Sequence, residues 1–241
     1  MKPFRLLLGA FAALALMAGA AEQHLAHQSH TVSKVSTPHK VVALTIDDGP
    51  HHKVTPEILT ILKEKQVKAT FFVLGVSAEH SPRLLAQEVA DGHEIGTHTY
   101  SHPILPRLDA KRIAEEFDKA EKVIITAAPP PTLFRPPGGA YNPQVLEAAR
   151  QKGYTVVLWS IDPRDWSRPP ADKVVETVLR NVRPGSIILL HDGQHPLPTP
   201  QALGRIIDGL REQGYEFVTV SELLQYNEVR HSFSVLFHIL P

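Results

Sequence analysis

Two adjacent carboxylates, Asp47 and Asp48, are the side chains of this sequence best placed to do chemistry. They follow an apolar, largely β-branched run at 41–46 that predicts a buried strand, and Gly49-Pro50 behind them predicts a turn. In folds that alternate strands and helices, sites are built at the carboxyl ends of the strands. Two neighbouring acids there point different ways, so one can bind a metal while the other acts as a base. The alternative is a turn in which both acids only cap the strand.

A pair of histidines, His98 and His102, follows the end of a later candidate strand. Four residues apart, they face the same direction on one helical turn and can share a metal. The spacing alone is weak evidence, because 14 histidines in 241 residues produce about one such pair by chance, and His191 with His195 is another. Together with a carboxylate such as Asp48, two histidines form a facial site for a divalent metal that leaves positions open.

Three further strand ends carry residues with chemical potential. Arg135 precedes a Pro-Pro-Gly-Gly turn and is either a surface charge or the partner of an inward-facing acid. Gly138 in that turn leaves an N–H open to a ligand, although a plain turn explains the motif equally. His191 ends an apolar strand, where a histidine is usually a satisfied core residue, and Asp165 is available to hold its second nitrogen. Trp166 can lie under a sugar ring or simply cover the core.

From residue 40 onward, apolar segments alternate with amphipathic ones, and no sequence repeat accompanies the alternation. Strands are predicted at 41–46, 69–74, 94–97, 132–135, 155–161, 186–191 and 217–220. Helices are predicted at 55–66, from 81 onward, and at 109–125, 142–152, 171–181 and 201–213. About seven β/α units imply an α/β fold, a distorted (β/α) barrel with a mostly parallel sheet. Such a barrel would bring the strand-end residues to one mouth.

The two ends of the chain predict export and a polar lead-in. Residues 1–20 combine a positive start, an apolar stretch without charge and a small-residue cleavage site, which predicts a secretory signal peptide. Residues 21–39 are polar and without apolar period, which predicts a flexible linker, with metal scavenging by its histidines as the alternative. The tail at 226–241 has no predicted place. No second apolar run indicates membrane insertion, and without cysteine the core must hold the fold.

The charge balance limits the expected partners. The formal net charge is +0, with 25 basic and 25 acidic residues, and the pI is about 7.3. Nucleic acid and anionic lipid both favour a basic surface, so neither is an expected partner. A neutral polymer or a small uncharged substrate fits this composition better.

Taken in chain order, five segments resemble the motifs of the polysaccharide deacetylase family, also called carbohydrate esterase family 4 or the NodB homology domain. The matching segments are 45–50, 98–102, 135–139, 162–166 and 189–191. The resemblance covers residues 40–225, which are expected to form one catalytic domain, and the five motifs together are highly specific. Ile46 stands where the family frequently has Phe. Gly138 stands where it often has Tyr, which implies a more open substrate groove.

The resemblance implies a metal centre with an adjacent base. Asp48, His98 and His102 would bind a divalent cation, usually zinc, with Co²⁺, Ni²⁺ or Mn²⁺ as alternatives. Asp47 would be the general base, held ionised and oriented by Arg135. The expected activity is therefore hydrolysis by a metal-activated water.

The resemblance also implies the remaining parts of the site. His191 would be the general acid, positioned by Asp165. The Gly138 N–H would hold the oxyanion, and Trp166 and Leu189 would line the pocket for the acetyl methyl group. The implied enzyme is a hydrolase of linear amides that removes acetyl groups from N-acetylated glycans of the N-acetylglucosamine type. We expect a monomer that acts in the periplasm or outside a bacterial cell.

Three alternatives remain open. A non-haem iron oxygenase uses the same face of two histidines and one carboxylate, but normally on antiparallel strands. A non-catalytic sugar- or metal-binding module would have lost residues that this chain retains. Within the enzyme class, O-acetyl xylan and small cyclic amides are alternative substrates. Among N-acetylated substrates, chitin oligomers, peptidoglycan glycans and other N-acetylglucosamine polymers are all compatible with the sequence.

Overall fold

The computed structural model describes residues 31–227, which contain eight strands and eight helices. The strands are β1 (Thr31–Val32), β2 (Val41–Asp47), β3 (Thr70–Val73), β4 (Glu94–Thr97), β5 (Leu133–Phe134), β6 (Thr155–Val157), β7 (Ile187–His191) and β8 (Glu216–Phe217). The helices are α1 (Val54–Glu64), α2 (Gly75–His80), α3 (Pro82–Ala90), α4 (Ala110–Ile124), α5 (Pro143–Gln151), α6 (Ala171–Asn181), α7 (Thr199–Glu212) and α8 (Val220–Gln225). Short 3₁₀ turns follow β4, β5 and β6, at Leu105–Arg107, Pro137–Gly139 and Asp165–Ser167.

The strands form one curled, mostly parallel sheet in the order β1-β6-β5-β4-β3-β2-β7, and β8 pairs with β2 beside it. Each strand from β2 to β8 is followed by a helix, so the described chain has the seven β/α units that the sequence predicts. Between β6 and β7 the described residues form only a single bridge, from Ile161 to Ile188. The expected distorted (β/α) barrel is therefore confirmed.

Strand β2 lies at the centre of the fold. All seven of its residues are buried, because a curled parallel sheet is covered by side chains on its inner face and by helices on its outer face. Its pairing places Asp47 beside His191 of β7 and beside Phe72 of β3. Since these strands run parallel, their carboxyl ends meet at one rim, where the site is built.

Local sequence signals start several helices. The side chain of Asp109 accepts a hydrogen bond from the Arg112 N–H and so caps α4, as predicted. Thr219 and Glu222 form a capping box that starts α8. The strand predicted at 217–220 ends at Phe217, the last residue of β8. The prediction is wrong beyond that point, because the capping box starts a helix there.

The polar lead-in belongs to the fold from residue 31 onward. The sequence predicted a flexible linker up to residue 39, but this segment contributes β1, and the Val35 N–H donates to the Gly185 carbonyl at 2.9 Å. Val35 is buried, and a bridge between Lys34 and Ser186 joins the segment to the start of β7. The folded domain therefore begins before the boundary expected at residue 40.

Two more local predictions need correction. Helix α2 was not predicted, and the strand predicted at 155–161 is regular only in β6. The expected signal peptide at 1–20, the first part of the linker and nearly all of the tail at 226–241 lie outside the described residues. Within residues 31–227, every helix is too short or too polar to cross a membrane.

Candidate metal centre and active site

The carboxyl ends of the central strands open onto one pocket. It is lined by Asp47, Asp48, His98, His102, Gly138, Trp159, Asp162, Trp166, Leu189 and His191. Eight of these ten residues belong to the set expected from the sequence. The two other expected residues, Arg135 and Asp165, are fully buried behind the pocket, where each contacts a lining side chain.

Asp48, His98 and His102 form a compact group on one side of the pocket. Each offers one ligand atom, and these atoms all lie within 4.8 Å of one another. Asp48 Oδ1 is 3.5 Å from Nε2 of both imidazoles. Ligands about 2.1 Å from a shared tetrahedral zinc ion lie roughly 3.4 Å apart, so this spacing fits a divalent cation.

The lone pairs of this group also indicate a cation site. His98 Nδ1 lies 2.7 Å from the Arg135 carbonyl, which can only accept, so Nδ1 carries the proton and Nε2 faces Asp48 with a lone pair. Asp48 Oδ1 is buried and accepts no hydrogen bond from the described residues. Two facing lone pairs repel each other unless a cation lies between them. Burial lowers the pKa of His98 to about 3, which keeps the ring neutral, as a ligand must be.

The two histidines meet for a different reason from the one predicted. Residues 98–102 form a loop and not a helical turn, because Thr99 and His102 have left-handed φ angles of 72° and 61°. Thr99 Oγ1 accepts from the His102 N–H at 3.1 Å, and the Thr99 carbonyl accepts from the Gly75 N–H at 2.9 Å. The loop is thus held by its own side chain and by the start of α2. The spacing was informative, but the helix attributed to it is wrong.

Asp47 is a buried carboxylate held by a buried arginine. Arg135 Nη1 donates to Asp47 Oδ1 at 2.7 Å. Burial raises the pKa of Asp47, and the positive charge of Arg135 opposes that rise. Asp47 Oδ2 lies 3.7 Å from Nε2 of His98. It is therefore next to the group formed by Asp48, His98 and His102, which we call the cation group. One oxygen of the carboxylate is therefore fixed, while the other faces the site.

Arg135 is the largest fully buried side chain among the described residues, and polar groups surround its charge. Nη1 also donates to Thr45 Oγ1 at 2.8 Å, while Nε and Nη2 donate to the carbonyls of Val157 and Leu158. The guanidinium lies 4.1 Å from the ring centroid of Phe72. A buried charge requires such pairing and hydrogen bonding. The alternative of a surface charge is therefore wrong for Arg135.

His191 and Asp165 form a second pair. Asp165 Oδ1 accepts from His191 Nδ1–H at 2.7 Å, and Oδ2 accepts from the His191 backbone N–H and the Thr199 hydroxyl. Burial alone would lower the pKa of His191, but the hydrogen bond and charge of Asp165 outweigh it and raise the pKa to about 9. The imidazole is therefore protonated near neutral pH, with Nε2 as its free donor.

The loop after β5 leaves room beside the site. Gly138 and Gly139 have φ angles of 60° and 68°, which glycine adopts without strain. A Cβ on Gly138 would meet nothing within 4 Å, whereas a Cβ on Gly139 would lie 2.9 Å from the Trp159 ring. The space directly beside Gly138 is therefore open, and the more open substrate groove that Gly138 implies stays a prediction.

Two lining residues, Trp159 and Asp162, were not predicted as parts of the site. Trp159 follows β6, in a stretch that reads as plain strand, and its ring lies 5.6 Å from the Arg135 guanidinium. Asp162 is the first residue of the motif segment 162–166, but the sequence predicts no role for its side chain. Its Oδ1 accepts from the Arg164 N–H at 2.7 Å.

Two Asp-Gly dipeptides, Asp48-Gly49 and Asp192-Gly193, pack against each other beside the cation group. The buried carboxylate of Asp192 accepts from the Thr55 hydroxyl and fills the space where a Cβ on Gly49 would lie, at 2.2 Å. In turn, a Cβ on Gly193 would lie 2.2 Å from the Cβ of Asp48. This packing holds Asp48 at its left-handed φ of 79°. In the sequence, the signal available for this contact is an Asp-Gly dipeptide at each of two strand ends.

A β/α barrel with a cation group, a buried carboxylate and an ion-paired histidine at one mouth defines a metal-dependent hydrolase. The family model described as "Polysaccharide deacetylase" matches residues 34–157, which is 124 of the 241 residues. The chain belongs to the polysaccharide deacetylase family, as its five motifs predict.

Relatives and solved structures agree with this assignment. A peptidoglycan-N-acetylglucosamine deacetylase of Bacillus cereus is 40% identical over 196 residues, covering 80% of this chain and 92% of that protein. A chitooligosaccharide deacetylase of Sinorhizobium fredii is 41% identical over 198 residues, covering 77% and 92%. The crystal structure of a peptidoglycan N-acetylglucosamine deacetylase has a TM-score of 0.79 and 37% identity, covering 84% of this chain and 96% of that one. A family 4 pseudoenzyme from Bacillus anthracis has a TM-score of 0.76 and 32% identity, covering 80% and 68%.

Proposed function

We propose that this protein is a metal-dependent deacetylase that removes acetyl groups from polysaccharides or oligosaccharides of the N-acetylglucosamine type. The observation that carries the proposal is the convergence of Asp48, His98 and His102 beside the carboxylate of Asp47 and the imidazole of His191. Family membership and the relatives named as peptidoglycan and chitooligosaccharide deacetylases support the same substrate class.

The proposed metal ligands are Asp48 Oδ1, His98 Nε2 and His102 Nε2. When bound there, a divalent cation polarises the acetamide carbonyl and lowers the pKa of a bound water. We propose Zn²⁺ as the native metal, because neutral imidazoles and a carboxylate with an open position are a common zinc donor set. Co²⁺, Ni²⁺ and Mn²⁺ are the alternatives.

Asp47 is the proposed general base. Arg135 holds Oδ1, so Oδ2 is left to take the proton of the water that attacks the carbonyl carbon. Burial raises the pKa of Asp47, which makes the carboxylate a better proton acceptor. The charge of Arg135 opposes protonation of the free base.

His191 is the proposed general acid. Asp165 keeps the imidazole protonated and oriented, so Nε2–H can donate its proton to the amine nitrogen as the C–N bond breaks. The Gly138 N–H is the proposed donor to the oxyanion, and one such donor typically contributes about 3 kcal/mol. Trp166 and Leu189 are the proposed walls for the acetyl methyl group. Acetate and a free amine are the products.

Acetate release tests the proposal directly. The assay compares chitin oligomers, peptidoglycan glycan strands and acetylated xylan, each with and without a chelator and with zinc restored. We expect acetate from the N-acetylated glycans, loss with chelator, recovery with zinc and equal rates without oxygen. Binding without turnover would indicate a non-catalytic module, such as the pseudoenzyme named above. Release from xylan alone would indicate an O-acetyl esterase, and a need for oxygen would indicate an oxygenase.

We also propose a location and a state for the protein. Export by the signal peptide at 1–20 and action in the periplasm or outside the cell fit a relative named for peptidoglycan, and a monomer is proposed beside them. The proposed catalytic domain spans 40–225, together with the described part of the lead-in from residue 31. N-terminal sequencing of the mature protein and light scattering in solution would test these points.

A further inference from the structure

Two arginines flank the aromatic side of the pocket. Arg164 and Arg168 lie at either end of the 3₁₀ turn Asp165–Ser167, and the Trp166 ring in this turn lines the pocket. Both arginine side chains are exposed, and Trp166 is 42% exposed. The turn therefore presents two positive charges and one aromatic ring together at the rim of the site.

Both arginines are held in an unfavourable backbone conformation. Their φ angles are 58° and 59°, in the left-handed region that residues other than glycine rarely occupy. Asp162 Oδ1 accepts from the Arg164 N–H at 2.7 Å, and the Asp165 carbonyl accepts from the Arg168 N–H at 2.9 Å. Strain of this kind persists where the surrounding structure maintains it, and it concentrates at functional sites.

Arg164 contacts the Trp166 ring, and Arg168 is linked to the Trp166 main chain through Gln194. The Arg164 guanidinium lies 5.1 Å from the ring centroid. Arg168 Nη2 donates to Gln194 Oε1 at 3.1 Å, and Gln194 Nε2 donates to the Trp166 carbonyl at 2.9 Å. Within residues 31–227, neither guanidinium forms an ion pair with an acid. Their charges are therefore available to a ligand.

Among the acids of the site, Asp162 alone is left to compensate this positive charge. Asp47 and Asp165 are committed to the ion pairs described above, and Asp48 belongs to the group of proposed metal ligands. Asp162 is the remaining lining acid, and one of its oxygens is used by the Arg164 N–H. The overall neutral composition, which predicted a neutral substrate, thus contains a local concentration of positive charge at the rim.

We propose that Arg164 and Arg168 bind a carboxylate of the substrate, so that the enzyme prefers acetylated glycans that carry carboxylates over neutral ones. The inference rests on the proposed function, since it names the substrate class of the same site. Guanidinium groups suit this role because their planar forks match a carboxylate with two parallel hydrogen bonds. In peptidoglycan-type strands the carboxylate can belong to the lactyl group of the sugar or to an attached peptide.

The test compares acetate release from three substrates: neutral chitin oligomers, glycan strands with their peptides, and the same strands after an amidase has removed the peptides. In the double variant Arg164→Gln/Arg168→Gln, we expect the kcat/KM ratio of charged to neutral substrate to fall about tenfold, the combined effect of two exposed charge contacts. Salt at about 0.5 M should lower the wild-type ratio in the same direction. The matched control is Arg211→Gln, which removes an exposed arginine over the Phe217 ring and should leave the ratio unchanged.

The outcomes separate the sources and the hypotheses. A fall in the ratio with stripped strands assigns the carboxylate to the sugar, and a fall only with intact strands assigns it to the peptide. Equal losses on neutral and charged substrates, or no loss, would overturn the proposal. If the wild type releases no acetate from any substrate, the proposed function fails, and calorimetric binding of the same glycans decides this inference. In that measurement, tighter binding of the charged glycan that is lost in the double variant supports the proposed role of the two arginines. Equal affinity of the wild type for charged and neutral glycans overturns it.

Discussion

Burial shifts the pKa of Asp47 and His98, whereas in His191 a paired carboxylate outweighs burial. Burial raises the pKa of Asp47, where Arg135 opposes the rise. It lowers the pKa of His98 to about 3, because nothing in the described chain stabilises a charged ring there strongly enough. In His191 the pair with Asp165 outweighs burial, and the pKa rises to about 9. The site thus holds a carboxylate, a neutral imidazole and a protonated imidazole together.

Replacing the base should separate chemistry from metal binding. In Asp47→Asn the amide oxygen can still accept from Arg135, but the side chain cannot take a proton. We expect metal content to stay full while kcat falls about 10²–10⁴-fold, the usual contribution of general acid–base catalysis. His98→Ala should lose metal as well as activity. Metal analysis and acetate release measure both, and full occupancy in His98→Ala would disprove the ligand assignment.

The pair of His191 and Asp165 predicts a pH dependence. The folded-state pKa of His191, about 9, lies above the ordinary value of 6.5. The protonated pair therefore stabilises the fold fully below pH 6.5, and this stabilisation is lost as the pH rises through about 9. Activity that needs the protonated imidazole should fall over the same upper range. In Asp165→Asn the largest opposition to burial is removed and only the charges of Asp47 and Asp48 still raise the pKa of His191, so the alkaline limb of kcat/KM should move to lower pH. An unmoved limb in this variant would remove His191 from the role of general acid.

At the scale of elements, strand ends were predictable and loops were not. Motif segments read as strand ends because apolar runs stop at polar residues, and a parallel sheet brings those ends together. The positive φ angles of Asp48, Thr99 and His102 depend on contacts with other elements, so the loop that pairs the histidines was read as a helical turn. Trp159 was missed because its position continues a strand pattern. The capping box at Thr219 is visible in the sequence, but the apolar run beside it predicts a strand instead.

The interlock of β2 with β7 predicts a specific clash. In Gly49→Ala the new Cβ would lie 2.2 Å from the Asp192 carboxylate, so we expect a loss of about 1–3 kcal/mol of unfolding free energy and weaker metal binding through Asp48. Asp192→Ala removes the acceptor of the buried Thr55 hydroxyl and should cost about 1–3 kcal/mol. Denaturant titration and metal affinity of both single variants test these values.

The double variant provides the decisive comparison. Gly49→Ala/Asp192→Ala should lose less stability than the sum of the single changes, because the second change removes the group that the first one strikes. Gly204→Ala, inside α7, is the matched control, since its Cβ would lie at an ordinary 3.7 Å from its nearest neighbour, the Lys65 side chain. That change should stabilise the protein by about 0.5–1 kcal/mol. Strict additivity of the pair would show that the two Asp-Gly dipeptides do not interlock.

At the scale of the molecule, the alternation of apolar and amphipathic segments was sufficient to predict the barrel. Seven β/α units follow from periodicity and turn signals, which are local properties of the chain. The contribution of residues 31–39 was not predictable in the same way. Its single buried side chain, Val35, lies in a polar stretch, and its partners at Gly185 and Ser186 are distant in sequence.

The lead-in should therefore contribute to global stability. Val35→Ala removes buried methyl groups and should cost about 2 kcal/mol, which for a domain of this size lowers Tm by about 4–8 °C. Ser36→Ala, at the exposed neighbouring position, should change stability by less than about 0.5 kcal/mol. Thermal unfolding of the two variants measures the difference. An unchanged Tm in Val35→Ala would place the segment outside the cooperative unit.

Arg135 serves the site with two separate parts of one residue. Its guanidinium holds Asp47, whereas its main-chain oxygen orients the ring of His98. Mutagenesis can reach the first part only, because every amino acid supplies the same peptide carbonyl. In a correctly folded variant at this position, proton transfer would suffer while the cation ligand kept its tautomer. A lineage that abandoned catalysis here could thus retain the ability to bind metal.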